Sequence, residues 1–280
     1  ENLDNFILGI EDYIKDDGVD IFIFTSHSSF SVNSAIIDAE NSIYTMPDYS
    51  IFDAAIVYGS GLNSDKALKQ IIDNCRKANI PIVLKGDSAE GFSSVMVDNY
   101  AGMRELCDHL IEKHNVKDTV FVAGAKENED SNQRLQALKD SLEAHNLEFD
   151  DNNIVWADWE TMLVRAHILE HYSTHREKLP DAFICANDPM ALYTLLTLQS
   201  LGYEMPRDVI VTGYDNLNDA ILFYPSVSTV DQRYRDQGYA CAEIIMRQIA
   251  GDRTIENKII PSKVRLGESC GCSYCKGEKE

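Results

Sequence analysis

The chain has 280 residues, 44% of them apolar, and carries 25 Lys and Arg against 46 Asp and Glu, for a formal net charge of -21. That length and apolar share suffice for a sizeable core divided between two lobes of ordinary domain size. The charge excludes duplex nucleic acid as a partner of this segment by itself, because neutralising phosphates needs a basic surface, and no apolar run approaches the roughly 20 residues of a bilayer-spanning helix.

Leu3, Phe6, Ile7, Ile10 and Ile14 recur at helical spacing, Gly18 closes that helix, and the apolar run at 19–24 predicts a strand. The first residues show neither a basic region leading into an apolar core nor a small-residue cleavage site, so a cytoplasmic location is expected. Residues 25–50 are rich in Ser, Asn and Asp and hold one plausible helix at 32–40. Alternation then becomes regular: a strand at 54–58, an amphipathic helix at 64–78 and a strand at 80–84, after which Gly86 and Asp87 turn the chain. A strand at 94–97 runs into Asp98 and Asn99, and the helix that follows to about residue 114 carries Met103, Leu106, Leu110 and Ile111 on its buried side. A second series follows, with strands at 119–122 and 154–156 and helices at 131–145 and 160–172.

The stretch 179–234 packs the most signals. An apolar strand at 182–185 stops at Asn187, Asp188 and Pro189, where Asp188 is expected to cap a helix and Pro189 to take its first position. Ala191, Leu195, Leu198 and Leu201 lie on one stripe of that helix, which ends at Gly202, and a buried strand at 209–212 leads into Gly213, Tyr214, Asp215 and Asn216. Parallel strands joined by a crossover helix bind ligands beyond their carboxyl ends, where Asn187 and Asp215 both fall. A helix through Met246 ends at Gly251, and short strands follow around Ile259 and Val264.

The runs CANDPMAL, VTGYDN and PSVSTVDQ, in that order, resemble the effector-binding core of LacI/GalR-type regulators and related periplasmic-binding-protein-like sensors, over nearly the whole chain. The resemblance implies a periplasmic-binding-protein-like type I fold: two doubly wound parallel-sheet α/β lobes joined by a three-stranded hinge. It divides the chain into an N-terminal lobe of 1–112 plus 232–260, a C-terminal lobe of 113–231 plus 261–269, and a linker-like tail at 270–280. In that family a central strand precedes the first helix, and it is expected to lie upstream of the sequence given. A hinge of this kind would permit closure around a ligand.

The resemblance also nominates ligand contacts. From the residues alone Arg134, in SNQRLQAL, is a solvated helix arginine; by its place in the family pattern it becomes a hydrogen-bonding fork for ligand hydroxyls or carboxylates. Asp215 could shape a turn or accept two ligand hydroxyls, and Asn187 could shape its turn or offer a donor and an acceptor. Trp159 matches a ligand-facing ring, whereas Trp156 reads as core. Asp98 and Gln232 match positions facing the cleft from the other lobe and its hinge, although a hydrogen-bonded hinge residue would look the same. Alanine at Arg134 or Asp215 is expected to weaken binding without unfolding the domain.

No cofactor is expected and no metal site is assigned. Cys270, Cys272 and Cys275 are closely spaced thiols that lack an evident fourth ligand, and His171 and His175 have no glutamate in the place a zinc protease needs. Walker, GxGxxG and GxSxG motifs are absent, so no catalysis is expected. The expected function is a sensor domain for a small, sugar-like effector within a LacI-family transcription regulator, working as a homodimer, with DNA contacted only by a separate N-terminal domain. The alternative is the input domain of a signalling protein whose output module, such as a diguanylate cyclase or kinase, follows the tail.

Overall fold

A computed structural model describes residues 2–26, 34–59, 62, 64–174 and 179–272. They separate into two compact units, one of residues 1–97 and 233–260 and the other of 98–232 and 261–280, so the chain passes from one to the other three times.

The first unit holds a parallel sheet of β1 (Ala55–Tyr58), β2 (Ile82–Lys85), β3 (Ser93–Val97) and β9 (Asn257–Ile260), in that spatial order among the described residues. Side chains alternate across a strand, and β2 shows the result: Val83 packs with Phe6, Ile10, Tyr234 and Ile244, whereas Ile82 and Leu84 pack with Ile71, Ile72 and Cys75. One face is thus covered by α1 (Asn2–Ile14) and α9 (Tyr234–Ile249), the other by α3 (Asp65–Ala78), whose first turn is capped by Ser64 accepting from the Ala67 N–H. Helices α1 and α9 meet backbone to backbone. A Cβ on Gly9 would lie 1.9 Å from the Arg235 carbonyl oxygen, and one on Gly238 1.9 Å from that of Phe6. Gly9→Ala is therefore expected to force these helices apart and lower stability by about 1–3 kcal/mol, read as a lower midpoint in urea denaturation.

The expected strand at 19–24 does not form. A strand needs a partner for its backbone groups, and this run pairs with no described strand; Phe22 is 65% exposed and lies against the Phe52 ring. The helix expected at 32–40 is present as α2 (Ser34–Asn41).

The second unit is built on β4 (Thr119–Ala123), β5 (Ile154–Trp156), β6 (Ala182–Cys185) and β7 (Ile210–Thr212), all parallel in the order β5-β4-β6-β7. Its core draws Leu135, Leu138 and Leu142 from α5 (Glu129–Ala144), Val164 and Ile168 from α6 (Thr161–Tyr172), and Leu195 and Leu198 from α7 (Asp188–Ser200). Helix α4 (Asn99–His114) also belongs here, since Met103, Leu106 and Leu110 are buried in this core. The first crossing between units therefore falls at Val97 and Asp98, before α4, where the sequence placed it after that helix. An antiparallel pair, β8 (Thr229–Asp231) with β10 (Lys263–Arg265), and the short helix α8 (Asn218–Leu222) complete the unit. Cys270, expected in a linker-like tail, is buried in the same core; residues 273–280 lie outside the described residues, as do Cys275 and His175.

Helix α7 starts one residue earlier than its sequence suggests. Asn187, not Asp188, is the cap, accepting from the Met190 N–H at 2.9 Å, and Pro189 sits within the first turn. Asp188 is instead turned inward and buried. Asn187→Ala is expected to cost about 1 kcal/mol through loss of the cap, a shift of thermal midpoint measurable by circular dichroism.

Candidate functional site at the carboxyl edge of the second sheet

In the order β5-β4-β6-β7, the chain leaves β4 for one neighbour and β6 for the other. Such a reversal marks the region beyond the carboxyl ends of β4 and β6 as the usual ligand position in sheets of this kind. The nominated residues all fall within this unit.

Arg134 lies on α5, which Asn128 caps by accepting from the Ser131 N–H at 2.9 Å, and the Gly124 N–H just after β4 donates to Ser131 Oγ at 2.9 Å. Its side chain is 3% exposed. Nε and Nη2 donate to Asn99 Oδ1 at 3.0 and 2.7 Å, Nη1 donates to the Ala186 carbonyl at 2.6 Å, and the guanidinium lies 3.8 Å above the Tyr214 ring centroid. Asn99 in turn donates from Nδ2 to Asp130 at 2.8 Å. Arg134 is therefore neither the solvated residue of the bland reading nor an outward-pointing fork: it ties α5 to the start of α4 and the end of β6.

Asp215 has φ of 125°, a conformation that favours glycine. Its amide donates to the Val230 carbonyl at 2.9 Å and its carboxylate accepts from Gln232 Nε2. Asp188 sits near it, accepting from Thr229 Oγ1 at 2.6 Å and from the Leu217 N–H at 2.8 Å. Burial first, and then the negative charge of Asp215, push the Asp188 carboxyl up to about 7, against the pull of Thr229 and the Leu217 and Asn216 amides.

Trp159 follows Asp158, and both have positive φ, at 65° and 51°. This kink after β5 lays the indole directly on Gly124, where a Cβ would be 2.2 Å from ring carbons. Trp156 is half-buried rather than core, with Lys126 Nζ 5.4 Å from its ring centroid. Asp98 is the cap of α4, accepting from the Ala101 N–H at 2.8 Å, and its carbonyl accepts from Ser262 Oγ at 2.7 Å. Asp98 and Gln232 were expected to face the site from the other lobe and its hinge; they are instead the first and last residues of this unit's long segment.

The sequence did not nominate Asn99, Asp188 or Tyr214 as site residues, although Asp188 and Tyr214 lie inside CANDPMAL and VTGYDN and Asn99 directly follows Asp98. In the first unit, Lys85 is buried at the end of β2 with Nζ 3.9 Å from the Tyr58 centroid and 4.9 Å from that of Tyr234, a burial the sequence did not signal. Metal-ligating groups converge elsewhere in the second unit, at His109, His114, Cys270 and Cys272.

A family model described as a periplasmic binding protein-like domain matches residues 107–270. Catabolite control protein A of Staphylococcus xylosus is 28% identical over 199 residues, covering 70% of this chain and 59% of that protein. The chain thus spans about three fifths of the length of this curated relative. Among solved structures, the transcriptional regulator CelR-cellobiose complex superposes with a TM-score of 0.78 at 23% identity, covering 96% of this chain and 79% of the other. A periplasmic binding protein/LacI transcriptional regulator from Alkaliphilus metalliredigens, complexed with D-xylulofuranose, gives 0.76 at 21% identity, covering 96% and 94%.

Proposed function

Because the chain belongs to the periplasmic binding protein-like domain family, we propose that it is the effector-binding part of a LacI-type transcription regulator and that it takes a small polyhydroxylated ligand at the carboxyl edge of the second unit's sheet. The observation that carries this reading is Asp215. A carboxylate held at a backbone angle of 125° costs about 1–3 kcal/mol of strain, and such strain persists where a side chain must be aimed. Asp215 and Asn187 offer acceptors and a donor for sugar hydroxyls, and the Trp159 ring offers a face for an apolar sugar surface. The sugars bound in the similar structures, cellobiose and D-xylulofuranose, are of this class.

In the whole protein, DNA contact belongs to a segment other than this acidic one. The chain works in the cytoplasm as a homodimer, for which light scattering is the test. Among the described residues no helix is long and apolar enough to cross a membrane.

A thermal-shift screen against sugars, sugar phosphates, nucleosides and amino acids tests the ligand class, since a ligand that binds only the folded state raises the melting temperature. Asp215→Asn keeps an acceptor for Gln232 and removes the charge. It should leave the fold intact and weaken the sugar found in the screen at least about tenfold by calorimetric titration, the equivalent of about 1.4 kcal/mol. Unchanged affinity would remove Asp215 from the site.

A further inference from the structure

Four metal-ligating side chains converge on one point of the second unit, away from the sheet edge described above. His109 and His114 come from the last turns of α4; Cys270 and Cys272 come from the segment after β10. Their donor atoms all lie within 4.8 Å of one another. The His109 and His114 Nε2 atoms are 3.2 Å apart, and Cys272 Sγ is 3.4 Å from each of them.

The separations among His109, His114 and Cys272 are those of ligands around one ion, and Cys270 Sγ, which donates to the Gly267 carbonyl at 3.4 Å, lies within 4.8 Å of them and closes on the ion when it binds. Zinc holds imidazole nitrogens at about 2.0–2.1 Å and thiolate sulfurs at about 2.3 Å in a tetrahedron, which sets nitrogens about 3.3 Å apart and nitrogen from sulfur about 3.5 Å. We infer that His109, His114, Cys270 and Cys272 form a closed, structural site for one zinc ion. Two thiolates and two imidazoles in tetrahedral array suit zinc or an iron–sulfur cluster. A two-iron cluster would put the nitrogens on one iron and the sulfurs on the other. Here Cys272 Sγ lies as close to both nitrogens as they lie to each other, which favours a single ion.

The protein holds these groups in place by other means. Cys270 is 1% exposed, and the residues before it are fixed: the Ser269 N–H donates to the Ser226 carbonyl at 2.9 Å, the Ser228 N–H donates to Ser269 Oγ at 2.9 Å, and Glu268 accepts from the Ser226 N–H at 3.1 Å. Gly271, at φ of 90°, makes the turn between the two thiols, a conformation glycine adopts without strain. Binding replaces the two thiol protons with the ion, so Zn2+ enters and two protons leave. The bound ion would clip residues 270–272 to the end of α4, across 163 residues of sequence between His109 and Cys272.

The test uses the whole chain, stripped of metal by a chelator under a phosphine reductant and titrated with Zn2+ alone. The expected result is one equivalent bound per chain, tighter at pH 8 than at pH 6, with release of two protons. Co2+ in its place should give the visible bands of a tetrahedral ion and a thiolate-to-cobalt charge-transfer band. His109→Asn, at a half-buried position that the fold tolerates, should weaken binding at least about 100-fold while leaving the tryptophan emission of the folded chain unchanged. Cys275→Ser should leave binding intact. Absence of stoichiometric binding, full affinity in His109→Asn, or loss of binding in Cys275→Ser would each overturn this ligand set.

Discussion

Arg134→Ala is expected to destabilise the second unit by about 3–5 kcal/mol, more than any other single change at the candidate site. Three guanidinium nitrogens serve two buried acceptors, Asn99 Oδ1 and the Ala186 carbonyl, and truncation leaves both without their donors in a space that water does not reach. Each orphaned acceptor costs about 1–3 kcal/mol. The buried Tyr214 ring loses the cation stacked on it as well. Arg134→Lys should recover little, because one ammonium cannot replace a planar fork that spans α4 and the end of β6. Trp156 and Trp159 both lie in the second unit and are the chain's two tryptophans, so their fluorescence during urea denaturation reports this unit. An unchanged midpoint in the alanine variant would mean that the guanidinium ties nothing together. The sequence had suggested that this substitution spares the fold; the burial of the side chain reverses that expectation, and binding must be measured where the variant remains folded.

Asp188→Asn should change how stability depends on pH. In the folded chain burial and Asp215 hold the Asp188 carboxyl at about 7, whereas in the unfolded chain it titrates near the ordinary 3.8. Between roughly pH 4 and pH 7 the folded state therefore binds the extra proton, and stability contributed by this group is present below that window and lost as pH rises through it. Asparagine has no proton to lose. Its Oδ1 can accept from the Leu217 N–H and its amide can donate to Thr229 Oγ1, preserving the hydrogen bonds of the protonated acid. The variant should match the parent near pH 4 and exceed it by several degrees of thermal midpoint near pH 8. Melting curves across that range decide it: parallel pH profiles would show that Asp188 does not titrate there.

How far the sequence could be read depended on how local the determining interactions are. Helix α7 was legible because its apolar stripe, its Pro189 and its Gly202 all lie within one short stretch. Its cap was misassigned because Asn187 and Asp188 are chemically equivalent as caps, and only the distant Thr229 and Leu217 draw Asp188 inward. The run at 19–24 has the composition of a strand, but a ladder is a property of two segments, and composition reports one. The same limit hid the site. Arg134 finds Asn99 at a separation of 35 residues and Ala186 at 52, so neither its burial nor its partners leave a pattern in the residues around it. Cys270 and Cys272 were visible as a pair, yet the histidines that face them belong to a helix whose sequence shows only an amphipathic repeat.

The meeting of α1 with α9 through Gly9 and Gly238 has a consequence for the order of events at the ribosome. Helix α1 emerges well before its partner, which follows only after the whole of 98–232. The strands β4 to β7 can assemble while α1 still waits with its apolar face uncovered, so the unit that starts later in the chain is the one able to collapse first. Strand β9 and the cysteine pair follow β1 to β8 in the chain, so each unit is completed only by residues made after most of both. A stalled or prematurely terminated nascent chain would therefore present the α1 stripe of Phe6, Ile10 and Ile14 to chaperones.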